Sequence, residues 1–305
     1  MLIITGSNGL LGQKLVHLLQ KQKEPNWLAT ARGVNRISNL PQKYFATMDI
    51  CKPQNIQEVF ECYKPNVLIH TAAMTQVDDC ETQQESCWLQ NVQAVEYLID
   101  ACSKYHTFFV HLSTDFIFDG KDGPYDEEAQ ANPLSFYGNS KWEAEKKLQA
   151  SSIDWAIART VLVYGVVEDM SRSNIILWVK KSLEEGKTIK VVDDQWRTPT
   201  LAEDLAMGTY LIAKNKAKGI FNISGKDLLT PYQMALATAD FFGLDKSLIQ
   251  RADSSTFSQP AQRPPKTGFI IEKARKVLGY EPHSFQEGLA ILQRQIEALN
   301  QNISK

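Results

Sequence analysis

Tyr137 and Lys141 stand four residues apart in Tyr137-Gly-Asn-Ser-Lys141, a spacing that puts a phenol and an ammonium on one face of one helix. Such a pair could protonate a carbonyl oxygen as a hydride reaches the carbonyl carbon. A free phenol, with a pKa of about 10, is poorly matched to that task at neutral pH. A neighbouring cation is expected to stabilise the phenolate and bring the value down. The same ammonium could hold the hydroxyls of a nicotinamide ribose. Tyr-x-x-x-Lys is common by chance, so the pair takes its meaning from its companions. One is a hydroxyl to orient the substrate oxygen, which Leu112-Ser-Thr-Asp115 offers at the end of an apolar run.

The other is a dinucleotide site. Gly6-Ser-Asn-Gly9-Leu-Leu-Gly12 lies directly after a first apolar run and opens a helical pattern. A helix N-terminus offers unpaired N–H groups and the positive end of a dipole to a pyrophosphate. Glycines allow the tight turn and the close approach of phosphate to backbone. The expected contacts are Gly6, Asn8, Gly9, Leu10, Leu11 and Gly12. A carboxylate after the second strand would favour NAD by pairing with the ribose 2′-OH. No Asp or Glu occurs from Pro25 to Met48, and the strand ends at Arg32, whose guanidinium favours a 2′-phosphate. NADP(H) is therefore the expected cofactor, with NAD(H) as the alternative. The histidines have no metal-ligand spacing, and His70 and His111 read as strand core residues; no metal is expected. No Gly-x-Ser-x-Gly elbow is present for a Ser-His-Asp hydrolase.

These groups need a scaffold. Short, non-alternating apolar runs at Leu2–Thr5, Trp27–Ala31, Tyr44–Met48, Val67–His70, Phe108–Leu112 and Trp155–Ala158 read as strands covered on both faces. Helical patterns at Leu10–Lys21, Ile56–Tyr63, Ser86–Tyr105 and Phe136–Ala150 alternate with them. The result is an α/β chain with a Rossmann-type, doubly wound parallel sheet. The expected division is a dinucleotide-binding domain over 1–160, with 189–223 as a candidate addition, and a smaller mixed α/β substrate lobe over 161–305. Helices are expected in the latter at Ile175–Glu185, Leu201–Lys214, Pro231–Phe242 and Phe285–Leu299. The formal charge of -2 points to neither nucleic acid nor an anionic membrane as partner. No apolar run approaches the ~20 residues of a membrane span. The N-terminus has no basic leader, and the five cysteines form no C-x-x-C pair, so a cytoplasmic chain with free thiols is expected.

Taken together, these residues resemble the extended short-chain dehydrogenase/reductases of the NAD-dependent epimerase/dehydratase superfamily, most of all the dTDP-4-dehydrorhamnose reductases. The resemblance spans nearly the whole chain. It is carried by Gly6–Gly12, Ala72–Asp78, Leu112–Gly120, Pro133–Lys141, Arg159-Thr160, Asp194-Gln195, Pro199-Thr200 and Arg263-Pro264. It implies that Tyr137 is the proton donor, Lys141 its helper and the cofactor anchor, and Thr114 the catalytic hydroxyl, with Asp115 beside the sugar. By the same resemblance, Asp49 and Ile50 touch the adenine, and Ala72, Ala73, Met74 and Thr75 line the cofactor, with Asn91 nearby. Gln195, Arg197 and Arg263 become candidate contacts to a nucleotide-sugar.

The branches differ after Thr114. The 4,6-dehydratases carry an Asp-Glu pair there, whereas Asp115 is followed by Phe116; epimerase/reductases of the GDP-fucose synthase type need a cysteine, which Ser113–Gly120 lacks. Leu162 stands where the rhamnose reductases often place a tryptophan, and Trp196 and Arg197 replace smaller residues. The expectation is an NADPH-dependent reductase of a 4-keto nucleotide-sugar, with a homodimer as a candidate assembly. The alternatives are an epimerase of the same superfamily, or an NADP-binding regulatory protein like the β subunit of methionine adenosyltransferase.

Overall fold

The computed structural model describes residues 1–168 and 174–303. In chain order its elements are β1 (Leu2–Thr5), α1 (Leu10–Lys21), β2 (Trp27–Ala31), β3 (Phe45–Thr47), α2 (Pro53–Tyr63), β4 (Val67–His70), α3 (Val77–Thr82), α4 (Gln84–Trp88), α5 (Ala94–Tyr105), β5 (Phe108–Thr114), α6 (Phe136–Gln149), β6 (Trp155–Thr160), β7 (Val163–Tyr164), α7 (Ile175–Glu184), β8 (Ile189–Val192), β9 (Thr200–Leu201), α8 (Ala202–Asn215), β10 (Gly219–Asn222), α9 (Pro231–Phe242), β11 (Ile249–Ala252), α10 (Glu272–Leu278) and α11 (Phe285–Ile303).

Seven strands form one parallel sheet in the order β10-β6-β5-β4-β1-β2-β3, the doubly wound arrangement expected from the alternating pattern. The order reverses between β1 and β4, and ligands of such sheets bind outside the carboxyl ends of the strands at that reversal. Both faces are covered. Leu15, Val16 and Leu19 of α1 pack with Tyr210, Ile212 and Ala213 of α8 over one face. Ile56, Val59 and Phe60 of α2, Leu98 of α5, and Ala144 and Leu148 of α6 cover the other. Each such aliphatic or aromatic side chain contributes about 1.5–3 kcal/mol on leaving water, which is why unbroken apolar strands are stable only here.

Register aligns a row of polar residues across the centre of the sheet: Thr5 opposite His70, and His70 opposite His111. Neighbours in a parallel ladder point to the same face, so the three side chains lie side by side.

Three features differ from the reading of the sequence. β5 continues two residues beyond Leu112, because Ser113 and Thr114 still pair with Arg159 and Thr160 of β6. The single helix expected over Ser86–Tyr105 is instead α4, a π-helical turn at Leu89–Gln93, and α5. Such turns insert an extra residue and are frequent at functional sites; here the turn carries buried Asn91. After β6, Gly219–Asn222 adds to the sheet as β10, while Ile189–Val192 pairs with β11 in a separate two-stranded sheet. That small sheet, with α7 and α9, forms a compact C-terminal cluster around Val179, Leu183, Ile189, Ala235 and Ile249. Among the described residues, no helix is long and apolar enough to cross a membrane.

Candidate functional site

At the carboxyl end of β1 the chain turns through Gly6, whose φ of 68° lies in the left-handed region that glycine alone enters freely. Gly9 stands at the N-cap of α1, which has neither a side-chain cap nor an acidic residue in its first turn. Ser7 beneath the turn is buried, and its hydroxyl has no partner of its own. An uncapped, acid-free helix start beside an unsatisfied hydroxyl fits the pyrophosphate of a dinucleotide. Leu10 and Leu11 open α1, both half-buried. Asn8 ties the turn to the loop after β2: its amide donates to the Val34 carbonyl at 2.8 Å, and its oxygen accepts from the Arg36 N–H at 2.9 Å. Arg32 is exposed at the end of β2. The same loop carries Arg36, a second guanidinium that the sequence reading passed over although it lies within the same acid-free stretch. Asp49 accepts from the Cys51 N–H at 3.1 Å in the turn after β3, and Ile50 is buried beside it.

Thr114 ends β5, and α6 starts at Phe136. The hydroxyl of Ser135 caps α6 by accepting from the Gly138 N–H at 3.1 Å, a bond of the kind that contributes about 1 kcal/mol. Glu81 of α3 accepts from the Phe136 N–H at 2.6 Å. A Cβ on Gly138 would lie 2.1 Å from the Phe116 carbonyl oxygen, so glycine is needed where α6 meets the segment after β5. This close contact sets Tyr137 in a ring-edge stack on Phe116, 5.8 Å between centroids. α6 is anchored underneath by a buried pair: the Arg159 guanidinium of β6 contacts Glu145 at 2.7 Å and donates to the Glu127 carbonyl at 3.1 Å.

The electrostatics differ from the expectation for this pair. Burial pushes the Tyr137 phenol up, and a hydrogen bond with Thr114 works against that rise. Lys141 is brought down to about 8 by burial, which the Glu145 carboxylate resists. Its ammonium donates to the Leu112 carbonyl at 2.6 Å and contacts His111 Nε2 at 3.1 Å. Desolvation thus outweighs any lowering of the phenol by the cation, and Tyr137 keeps its proton over the neutral range. A phenol that stays protonated, beside a hydroxyl at a strand's end, can donate to a substrate oxygen. His111 is stacked on His70, 5.5 Å between ring centroids, and His70 Nδ1 lies 2.7 Å from the Thr5 hydroxyl. Burial holds both imidazoles neutral, His70 down at about 3. They are core residues, but His111 is also the partner of Lys141, a role that spacing alone did not reveal.

After β4 the segment Ala72, Ala73 and Met74 is half-buried, and Thr75 is exposed. Asn91 does not reach into the cleft itself. Its side chain clamps the Met74 backbone, accepting from the N–H at 2.8 Å and donating to the carbonyl at 3.0 Å.

Asp115 and Arg197 also differ from expectation. Both are buried and face each other, Arg197 Nε 3.8 Å from Asp115 Oδ2. Asp115 accepts in addition from Thr267 and Thr114, and the Arg197 fork donates to the Pro264 carbonyl at 2.7 Å. The pair ties the end of β5 to the segment around Pro264–Thr267, because two charges this buried are stable only when they satisfy each other. Gln195 and Arg263 do line a cavity of about 470 Å³, together with Trp178, Lys190 and Phe257. Trp178 and Phe257 are 41% and 37% exposed, as flat aromatic surfaces that await a stacking partner would be. Arg263 closes one wall by a two-pronged contact to Asp78 of α3, at 2.8 and 3.1 Å. The aromatics and Lys190 went unnoticed in the sequence because they come from distant segments. A second cavity, of about 540 Å³, is lined by Asp119, Asp122 and Asp126, carboxylates that repel an anionic ligand. Among the described residues, no cluster of three His, Cys, Asp or Glu could hold a metal.

Comparison with known proteins gives three kinds of likeness. The family model for the RmlD substrate binding domain matches residues 1–297. Over 253 residues the chain is 31% identical to methionine adenosyltransferase 2 subunit beta of Xenopus tropicalis, covering 81% of this chain and 74% of that protein. It is 28% identical to the probable low-salt glycan biosynthesis reductase Agl14 of Haloferax volcanii, over 95% of this chain and 96% of that one. Among solved structures, a dTDP-4-dehydrorhamnose reductase from Clostridium acetobutylicum superimposes with a TM-score of 0.84 at 27% identity, covering 97% and 99% of the two chains.

Proposed function

Because the chain belongs to the RmlD substrate binding domain family, we propose that it reduces the keto group of a 4-keto nucleotide-sugar, with NADPH as reductant and Tyr137 as proton donor. Its class is that of the NAD(P)-dependent short-chain dehydrogenase/reductases. The observation that carries the reading is the placement of Tyr137, stacked on Phe116 just after β5, on the helix whose Lys141 ammonium reaches the Leu112 carbonyl of β5 at 2.6 Å, on a sheet whose switch point bears an uncapped glycine turn.

The dinucleotide supplies the hydride when bound. The chain's own residues do the rest. The α1 N-terminus neutralises the pyrophosphate, and Arg32 reads the 2′-phosphate. Met74, held by Asn91, lines the cofactor's path with Ala72, Ala73 and Thr75. Lys141 holds ribose hydroxyls from the sheet side. Thr114 orients the substrate oxygen, and Tyr137 gives it a proton. The nucleotide part occupies the cavity between Trp178 and Phe257, where Lys190, Gln195 and Arg263 supply polar contacts. A cytoplasmic setting goes with this reading, since NADPH and free thiols belong to reducing compartments.

The test is oxidation of NADPH and of NADH by the purified protein against a small panel of 4-keto deoxysugar nucleotides. The expected result is turnover with NADPH on at least one of them. Absence of oxidation with every member of the panel overturns the reading. Turnover on tightly retained cofactor without net oxidation assigns an epimerase instead.

A second reading rests on the likeness to methionine adenosyltransferase 2 subunit beta: an NADP-binding regulatory subunit. Retention of a methionine adenosyltransferase on the immobilised protein, with no keto-sugar reduced, would favour it.

A further inference from the structure

Cys80 and Cys87 are wholly buried, and their sulfur atoms lie 2.7 Å apart. They face each other because Gln83, at φ -124° and ψ 55°, breaks the helix and folds α4 back against α3. The pair packs directly against Tyr137, with Met74, Val77, Phe116 and Phe136 around it. The two sulfurs are not equivalent. Cys87 accepts from the Asn91 amide at 3.4 Å, and its thiol faces both the Ser140 hydroxyl oxygen, to which it donates at 3.5 Å, and the Cys80 sulfur. Cys80 is turned toward the Met74 carbonyl at 3.6 Å. Thiolate character concentrates on Cys87, which its contact with Cys80 and its polar neighbours Ser140, Lys141 and the Asn91 amide bring down, while Cys80 is held up by its bond with Cys87 and by burial.

We propose that Cys80 and Cys87 form a redox modification site, a dithiol that a peroxide converts into a disulfide. The Cys87 sulfur attacks one peroxide oxygen; the O–O bond breaks and hydroxide leaves, taking up a proton to become water. The Cys80 sulfur then attacks the Cys87 sulfenic acid; the S–O bond breaks, and the departing hydroxide takes the Cys80 proton. Two thiols and one peroxide give one disulfide and two waters. Reaching disulfide length, about 2.05 Å, requires the sulfurs to close by only a fraction of an ångström. Access is past the half-buried rim of the cluster, formed by Met74, Val77, Phe116 and Phe136. Closure withdraws the Cys87 sulfur from Asn91, the clamp on Met74, and from Ser140, whose hydroxyl donates to the Tyr137 carbonyl at 2.8 Å. The modification thus reaches both sides of the site described above. In a reducing compartment a disulfide of this kind is transient and signals oxidant load.

The experiment treats the full chain with hydrogen peroxide, alkylates remaining thiols and maps peptides by mass. Cys80 and Cys87 share one tryptic peptide, since Cys80–Cys87 contains no Lys or Arg. Because Lys52 and Lys64 each precede proline, that peptide carries all five cysteines, so fragment ions assign each one; the expected product is two hydrogens lighter, unalkylated at Cys80 and Cys87 and alkylated at the other three, and restored by dithiothreitol. In Cys80→Ser, oxidation should stop at a Cys87 sulfenic acid that dimedone tags. The proposal is overturned if the pair stays alkylatable at peroxide doses that oxidise the exposed Cys62. It is equally overturned if both sulfurs reach sulfinic acid without bonding, or if dimedone tags Cys80 in Cys87→Ser and leaves Cys87 untagged in Cys80→Ser. The readout is a mass and does not depend on any sugar being reduced.

Discussion

The Lys141 ammonium lies 3.1 Å from His111 Nε2, one of the two stacked, neutral imidazoles in the row that runs across β1, β4 and β5. Because Lys141 is down at about 8 while the phenol is pushed up, Lys141 is the first of the two to titrate as pH rises. Below that value the ammonium is present; above it the charge is lost. The value of kcat/KM should therefore fall on the alkaline side with a midpoint of about 8. No acidic limb near neutrality should come from His70, which burial brings down to about 3, or from His111, which burial holds well below its ordinary value. The check is a pH profile of NADPH oxidation on wild type and on His111→Gln. Because burial and not the imidazole lowers Lys141, the limb should stay near 8 in both proteins, and a wild-type limb well away from 8 would mean that another group sets it.

Tyr137→Phe removes the phenol oxygen and leaves the ring's packing against Phe116. Turnover should fall by at least about 100-fold, the usual scale for a lost general acid, while NADPH binding, followed by fluorescence titration, changes little. A variant that retains the parent rate would take the proton-donor role away from Tyr137.

Arg32→Ala should weaken NADPH and spare NADH. One charge-assisted bond at a solvated site contributes about 1.5 kcal/mol, or roughly tenfold in affinity. The ratio of the two dissociation constants is the measurement. If the ratio moves only when Arg36 is also replaced, the two guanidinium groups share the 2′-phosphate.

Arg159→Ala leaves the Glu145 carboxylate charged and enclosed between α6 and β6. Breaking a buried pair costs about 3–5 kcal/mol, so the urea midpoint should drop sharply, and by much more than for loss of the exposed pair Lys218–Asp154. Replacing Arg159 and Glu145 together by apolar residues of similar size should recover a large part of the loss.

How much of this was legible in the chain follows from where each signal resides. The strands of the central sheet could be read because a strand covered on both faces must be apolar along its length. The glycine turn could be read because a phosphate approaching backbone excludes side chains locally. β10, though it lies in that sheet, has only Ile220 and Phe221 between Gly219 and Asn222, and polar Lys190, Gln250 and Arg251 interrupt β8 and β11, so none of the three shows an unbroken apolar run. The π-helical turn at Asn91 has no local signal, since the bonds that accompany it go to Met74, in the segment after β4. The same holds for Asp115 and Arg197, which look like ligand contacts by type and spacing and become a mutual pair only once the Pro264–Thr267 segment crosses β5. Spacing placed Tyr137 and Lys141 on one helix face, but it carried no information on burial, which reversed the expected direction of the phenol's pKa.

The fork of Arg263 on Asp78 has a consequence for how an anionic ligand enters the cavity beside it. A guanidinium already gripped by a carboxylate can welcome a diphosphate only by exchanging one anion for the other. Each arrival then loosens the strap that fastens the C-terminal segment to α3, and each departure refastens it. Neutralising that carboxylate in Asp78→Asn should tighten nucleotide binding and slow product release, so that the molecule gains affinity at the expense of throughput.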